Sequence, residues 1–103
     1  MKYEVNKKEL VDLVVGTNNK PPSLYQVTLH NDDFTPMEFV VELLEKLFYM
    51  SRHKAVEVML EAHAKGIAVC GTYTKEVAEF KIMEVIHKAR LYEHPLICSM
   101  DVA

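Results

Sequence analysis

The hydrophobic period of this chain changes across one short polar turn, and that change restricts the fold more than any other feature. Between Leu24 and His30 the residues alternate, with Tyr25, Val27 and Leu29 on one face and Gln26, Thr28 and His30 on the other. A period of two marks a half-buried strand. Beyond Asn31-Asp32-Asp33 the spacing turns helical, and Met37, Val40, Val41, Leu44, Leu47 and Phe48 fall on one stripe of a helix expected over Pro36 to Tyr49. A strand leading directly into an amphipathic helix must bury both apolar faces, most simply against one another. The turn between them has its own chemistry. Asn and Asp side chains bond nearby backbone groups and so favour a reversal. Thr35-Pro36-Met37-Glu38 then reads as a helix start, with Thr35 as cap, Pro36 in the first helical position and Glu38 completing a capping box.

The remaining chain extends the same pattern. Ser51 is placed to cap a second helix running to about Lys65, with Ala55, Val58, Met59 and Ala62 inward, and Gly66 suits the left-handed position that ends it. Ile67 to Gly71 is a short apolar run expected as a buried strand. Thr74 precedes a third helix with Ala78, Ile82, Val85, Ile86 and Ala89 on its stripe. Pro95 cannot extend that helix, and Leu96 to Met100 reads as a last strand. The order is βααβαβ, which implies an α/β fold: a small two-layer sandwich of three helices on a three-stranded sheet. Periodicity leaves the strand directions open. Gly16 to Ser23 is a breaker cluster, so residues 1–23 are expected to be a flexible N-terminal arm and linker, and residues 24–103 the core domain.

Composition narrows the function. The chain has 103 residues, half of them apolar and about a quarter charged, and a net charge of −3. That balance lacks the basic excess a nucleic-acid partner demands. No apolar run approaches the roughly 18 residues of a membrane span, and Met1 to Leu10 is mostly polar, so the expected setting is cytoplasmic. Cys70 and Cys98 each sit in a short apolar run and read as buried thiols rather than a disulfide. There is no glycine-rich phosphate loop, no nucleophile elbow and no zinc spacing among the histidines and cysteines. The chain therefore reads as a binding protein, with no catalytic residues, no cofactor and no metal.

Two features could carry binding. Asn31, Asp32 and Asp33 crowd the turn beside apolar Met37 and Val40, a combination suited to a ligand with one charged end and one apolar end. His63 lies four residues after Met59, on the same face of the second helix. Taken singly, these residues also fit structural roles as turn formers, a carbonyl-bonded histidine and core filler. A plain interaction module with the same α/β shape, such as a ribosomal stalk-like domain, is the alternative reading, and it would have no use for Asn31.

Longer strings of residues carry a specific resemblance. Pro21-Pro22-Ser23-Leu24-Tyr25, then Asn31-Asp32-Asp33-Phe34-Thr35-Pro36-Met37-Glu38-Phe39-Val40, closely resembles the N-terminal half of ClpS, the bacterial adaptor of the Clp protease. The likeness continues through Met59-Leu60-Glu61-Ala62-His63, Gly66, Cys70-Gly71, Thr74, Glu76-Val77-Ala78-Glu79 and Glu93-His94-Pro95-Leu96, covering the chain from Lys20 onward. The resemblance implies an antiparallel sheet and an adaptor that recognises N-degrons, proteins beginning with Leu, Phe, Tyr or Trp. It implies delivery of these to the ClpA unfoldase, which feeds the ClpP peptidase. Carried over by position, Asn31 and His63 would hold the substrate's α-amine, with Asp32 or Asp33 helping. Leu29, His30, Thr35 and Met37 would line one part of the side-chain pocket, and Val40, Met59, Ala62 and Leu96 the rest. Glu76 and Lys81 match positions that dock on ClpA. Two residues depart from the family pattern: Ala62 stands where valine is usual, and His30 where an aliphatic residue is usual.

Overall fold

The structure, a computed structural model, describes residues 23–103. The expected arm and linker lie outside these residues except for Ser23. The described chain runs β1 (Tyr25–His30), α1 (Met37–Leu47), α2 (Arg52–Lys65), β2 (Ile67–Tyr73), α3 (Lys75–Leu91) and β3 (Ile97–Val102), the element order expected from periodicity. The sheet is antiparallel throughout, in the order β2-β1-β3, so the first strand is central. Strand direction, left open by spacing, agrees with what the resemblance implied. The helices pack on one face of the sheet.

The core forms where the two periods meet. Val27 and Leu29 of β1 are buried with Ala68 and Cys70 of β2 and Cys98 of β3. From the helical side come Val40, Val41 and Leu44 of α1, Ala55, Val58 and Ala62 of α2, and Ala78, Val85 and Ala89 of α3. Leu43, outside the expected stripe, is also fully buried, because α1 packs against both other helices. Small residues predominate on α2 and α3, which lets their backbones approach the core closely.

Several local expectations are corrected. β2 is half-buried rather than buried. Its residues alternate, with Ile67 and Val69 exposed on the face away from the helices, and it continues to Tyr73. Alternation breaks at a bulge, where the register with β1 shifts between Val27 and Thr28 and leaves Cys70 as the extra residue. The next residue, Gly71, leaves room for the Tyr73 side chain, whose hydroxyl a Cβ there would meet at 2.5 Å and whose ring at 2.7 Å. Thr35 does not cap α1. Pro36 is the N-cap, extended at φ −63° and ψ 140°, and makes no side-chain cap bond. The Thr35 hydroxyl instead turns back to Asp32, and Glu38 pairs with Arg52 at 3.0 Å on the surface. Proline's fixed φ is compatible with an extended ψ, so the first helical residue is Met37. Thr74 is the N-cap of α3 but likewise makes no side-chain cap bond. Ser51 does cap α2, accepting from the Lys54 amide at 3.1 Å, and Gly66 ends it at φ 90°. Both cysteines are free and buried. The neighbouring Cys70 thiol, together with burial, pushes the Cys98 thiol far above its ordinary range, which keeps it un-ionised.

Candidate functional site

Two elements distant in sequence are joined at the end of β1. The Asn31 amide donates to the Gly66 carbonyl at 2.9 Å, fixing the turn after β1 against the C-terminus of α2. His63 lies one turn before that carbonyl, and Met59 one turn before His63. Beside this junction lies a small cavity, partly open to solvent. Its polar wall includes Asn31, Asp32, Thr35 and His63. Its apolar wall is Leu29, Met37, Val40, Met59, Ala62 and Leu96. Leu29, Val40, Ala62 and Leu96 are buried and so form a fixed floor, whereas Met37 is about half exposed at the rim.

Asp32 organises the turn. Its Oδ1 accepts from the amides of Phe34 and Thr35 at 2.9 and 2.7 Å, and its Oδ2 from the Thr35 hydroxyl at 2.8 Å. Partial burial acts to raise the Asp32 pKa. The Thr35 amide and hydroxyl, the Phe34 amide and the field of His94 outweigh it, and the carboxyl is held below its ordinary range. The group is therefore ionised at neutral pH and fixed in place. Asp33 is exposed on the same turn and lies outside the cavity wall.

His30 also borders the cavity. Its Nε2 lies 2.6 Å from Ser99 Oγ, and Ser99 is the register partner of Thr28, so the ring is tied to the neighbouring strand β3. Glu76 is exposed in the first turn of α3. Lys81 is largely buried: its ammonium donates to the Leu47 carbonyl at 2.6 Å and sits 4.8 Å from the Tyr49 ring centroid. Sequence reasoning gave His94 no role. Its ring packs edge-on against Phe39 with centroids 4.6 Å apart, and its field reaches Asp32, a relationship that no spacing in the sequence signals.

Comparison with known proteins identifies the family. A model for the ATP-dependent Clp protease adaptor protein ClpS matches residues 20–99. The chain belongs to the ClpS family. A ClpS adapter of Hyphomonas neptunium is 56% identical over 92 residues, covering 87% of this chain and 78% of that protein. One from Vibrio atlanticus is 52% identical over 85 residues, covering 82% and 80%. One from Erwinia tasmaniensis is 48% identical over 99 residues, covering 96% and 93%. Among solved structures, Agrobacterium tumefaciens ClpS2 bound to L-phenylalaninamide superposes with a TM-score of 0.78 at 36% identity, covering 80% of this chain and 99% of that one. Membership makes the chain an adaptor of the Clp protease. Among the described residues, no helix is long and apolar enough to cross a membrane.

Proposed function

We propose that the chain recognises N-degrons, proteins whose first residue is Leu, Phe, Tyr or Trp, and delivers them to the ClpA unfoldase of the Clp protease. The observation that carries this reading is a single cavity with Asn31, Asp32 and His63 on one wall and Leu29, Val40, Met59, Ala62 and Leu96 on the other. The similar ClpS2 structure holds L-phenylalaninamide, whose α-carbon bears both a free amine and a benzyl side chain.

The electrostatics favour such a ligand. An α-amine has a pKa near 7.7–8.0 and is mostly cationic at neutral pH. The N-terminus of α1 alone would repel it, since that end carries partial positive charge. Ionised Asp32, with Asp33 beside it, reverses the local sign. The side-chain oxygen of Asn31 and a ring nitrogen of His63 supply acceptors. Each hydrogen bond to the charged amine is worth about 1.5–3 kcal/mol, and burying a Leu or Phe side chain about 1.5–3 kcal/mol. Neither part alone offsets the cost of association. Both together make the site a reader of chain ends rather than a general apolar groove. Thr35 and Met37 complete the rim, and His30 completes the wall.

Docking on ClpA is assigned to the face of α3 that bears Glu76. Lys81 supports that face by holding the C-terminal turn of α1. Fluorescence anisotropy with a Leu-initiated peptide and its acetylated twin tests the reading: the free amine should bind and the acetylated peptide should not, and equal affinity would end it.

A further inference from the structure

We propose that Met37 is an oxidation site through which peroxide-type oxidants switch off recognition of the substrate's chain end, by converting its thioether to the sulfoxide at the rim of the cavity. The proposal rests on the reading of this cavity as the chain-end site. The chain holds six methionines and two cysteines, and their surroundings differ. Cys70 and Cys98 are buried, and the Cys98 thiol stays un-ionised, whereas cysteine oxidation proceeds through an accessible thiolate. Met50, Met59 and Met100 are partly buried against the core. Among the described residues the exposed methionines are Met37 and Met83, at 47% and 66%. Met83 lies on α3 and has no place in the cavity wall, whereas Met37 opens α1 and lines it. One sulfur-bearing side chain is thus both open to a dissolved oxidant and set against the space that a ligand side chain fills.

The chemistry is a two-electron oxidation. A lone pair of the Met37 sulfur attacks one oxygen of hydrogen peroxide, the O–O bond breaks, and the departing hydroxide takes the proton from the new S–OH group. Sulfur loses two electrons, and the peroxide is reduced to water. The product is polar where the thioether was apolar. On the apolar wall, the side chains of Val40, Met59, Ala62 and Leu96 offer the new oxygen no hydrogen-bond donor. A Leu or Phe side chain entering the cavity would strip water from that oxygen and return nothing, which opposes binding. Met37 is the first residue of α1 and half exposed, so the core does not depend on it and the fold outlasts the change. Enzymatic reduction of the sulfoxide returns the thioether, which makes the switch reversible.

Treatment of the full chain with hydrogen peroxide, followed by peptide mapping and by fluorescence anisotropy with a Leu-initiated peptide, tests the proposal. The mass of one oxygen is expected on both Met37 and Met83, with an unchanged circular dichroism spectrum and an affinity about tenfold or more below that of the untreated chain. Methionine sulfoxide reductases of both epimer specificities, with dithiothreitol as reductant, should restore binding. Treated Met37→Leu should bind as tightly as its own untreated control, although its Met83 is oxidised as in the parent. Full conversion of Met37 without loss of affinity overturns the proposal. So does a loss that persists in Met37→Leu, or a Met37 that stays unoxidised once Met83 has reacted. The acetylated twin of the peptide keeps the two readings apart: an untreated chain that binds both peptides equally ends the chain-end reading, and this proposal with it.

Discussion

The Asn31 amide lies 2.9 Å from the Gly66 carbonyl, and this one backbone bond brings the turn after the first strand to the end of the second helix. Gly66 makes it possible by adopting φ 90°, where a side chain is strained even though a Cβ would meet nothing within 4 Å. Gly66→Ala should therefore lower stability by about 1–2 kcal/mol through backbone strain alone. Urea denaturation measures that loss, and a Leu-initiated peptide should bind more weakly because His63 no longer meets Asn31 in register.

Removing either acceptor of the amine tests the polar wall directly. Asn31→Ala and His63→Ala should each reduce affinity for a Leu-initiated peptide by roughly ten- to a hundredfold, the worth of one bond to a charged group. Fluorescence anisotropy of each variant beside the parent reads this out, and an affinity equal to the parent's would remove that residue from the amine site.

Asp32 links the turn to pH. Its carboxyl pKa is depressed in the folded chain: partial burial opposes the shift, and the bonds from Thr35 and Phe34 with the field of His94 overcome it. A depressed carboxyl stabilises the fold above its unfolded pKa, near 3.9, and that stability is lost as pH falls through the lower folded value. Urea midpoints should thus drop below about pH 4 in the parent and less so in Asp32→Ala. At neutral pH, Asp32→Ala should cost about 1 kcal/mol, typical of a lost side-chain cap.

Lys81 should behave as a structural residue. Its ammonium satisfies the Leu47 carbonyl and lies near the Tyr49 and Phe48 rings, 4.8 and 5.8 Å from their centroids. Lys81→Met retains the apolar stem but abandons the carbonyl, and should cost about 1–2 kcal/mol in a thermal or urea melt. A docking role confined to free charge would leave stability unchanged.

Ala62 sets the depth of the cavity. It is buried in the cavity floor, and Ala62→Leu should fill the space a ring would occupy. Affinity for Phe-initiated peptides should fall roughly tenfold, with the fold itself retained. A competition series of Leu, Phe, Tyr and Trp peptides reads this out.

Much of this protein was legible from local pattern. Element order follows from the period of the apolar residues, because a strand or helix must turn its apolar side inward wherever the core lies. Ser51 and Gly66 were legible for the same local reason: each acts on backbone groups within a few residues. Thr35 misled because its hydroxyl had two acceptable partners, the helix it precedes and the carboxylate of Asp32, and the choice depended on how Asp32 folded back. Tertiary structure alone decided which strand is central, that β2 is open on one side, that the His30 ring faces Ser99, and that Lys81 is tied to Leu47. Each of these depends on contacts between residues far apart in the chain, where periodicity carries no information about distance. The union of Asn31 and His63 around one cavity is of that kind: residue types suggested it, and a backbone bond between two chain reversals brings it about.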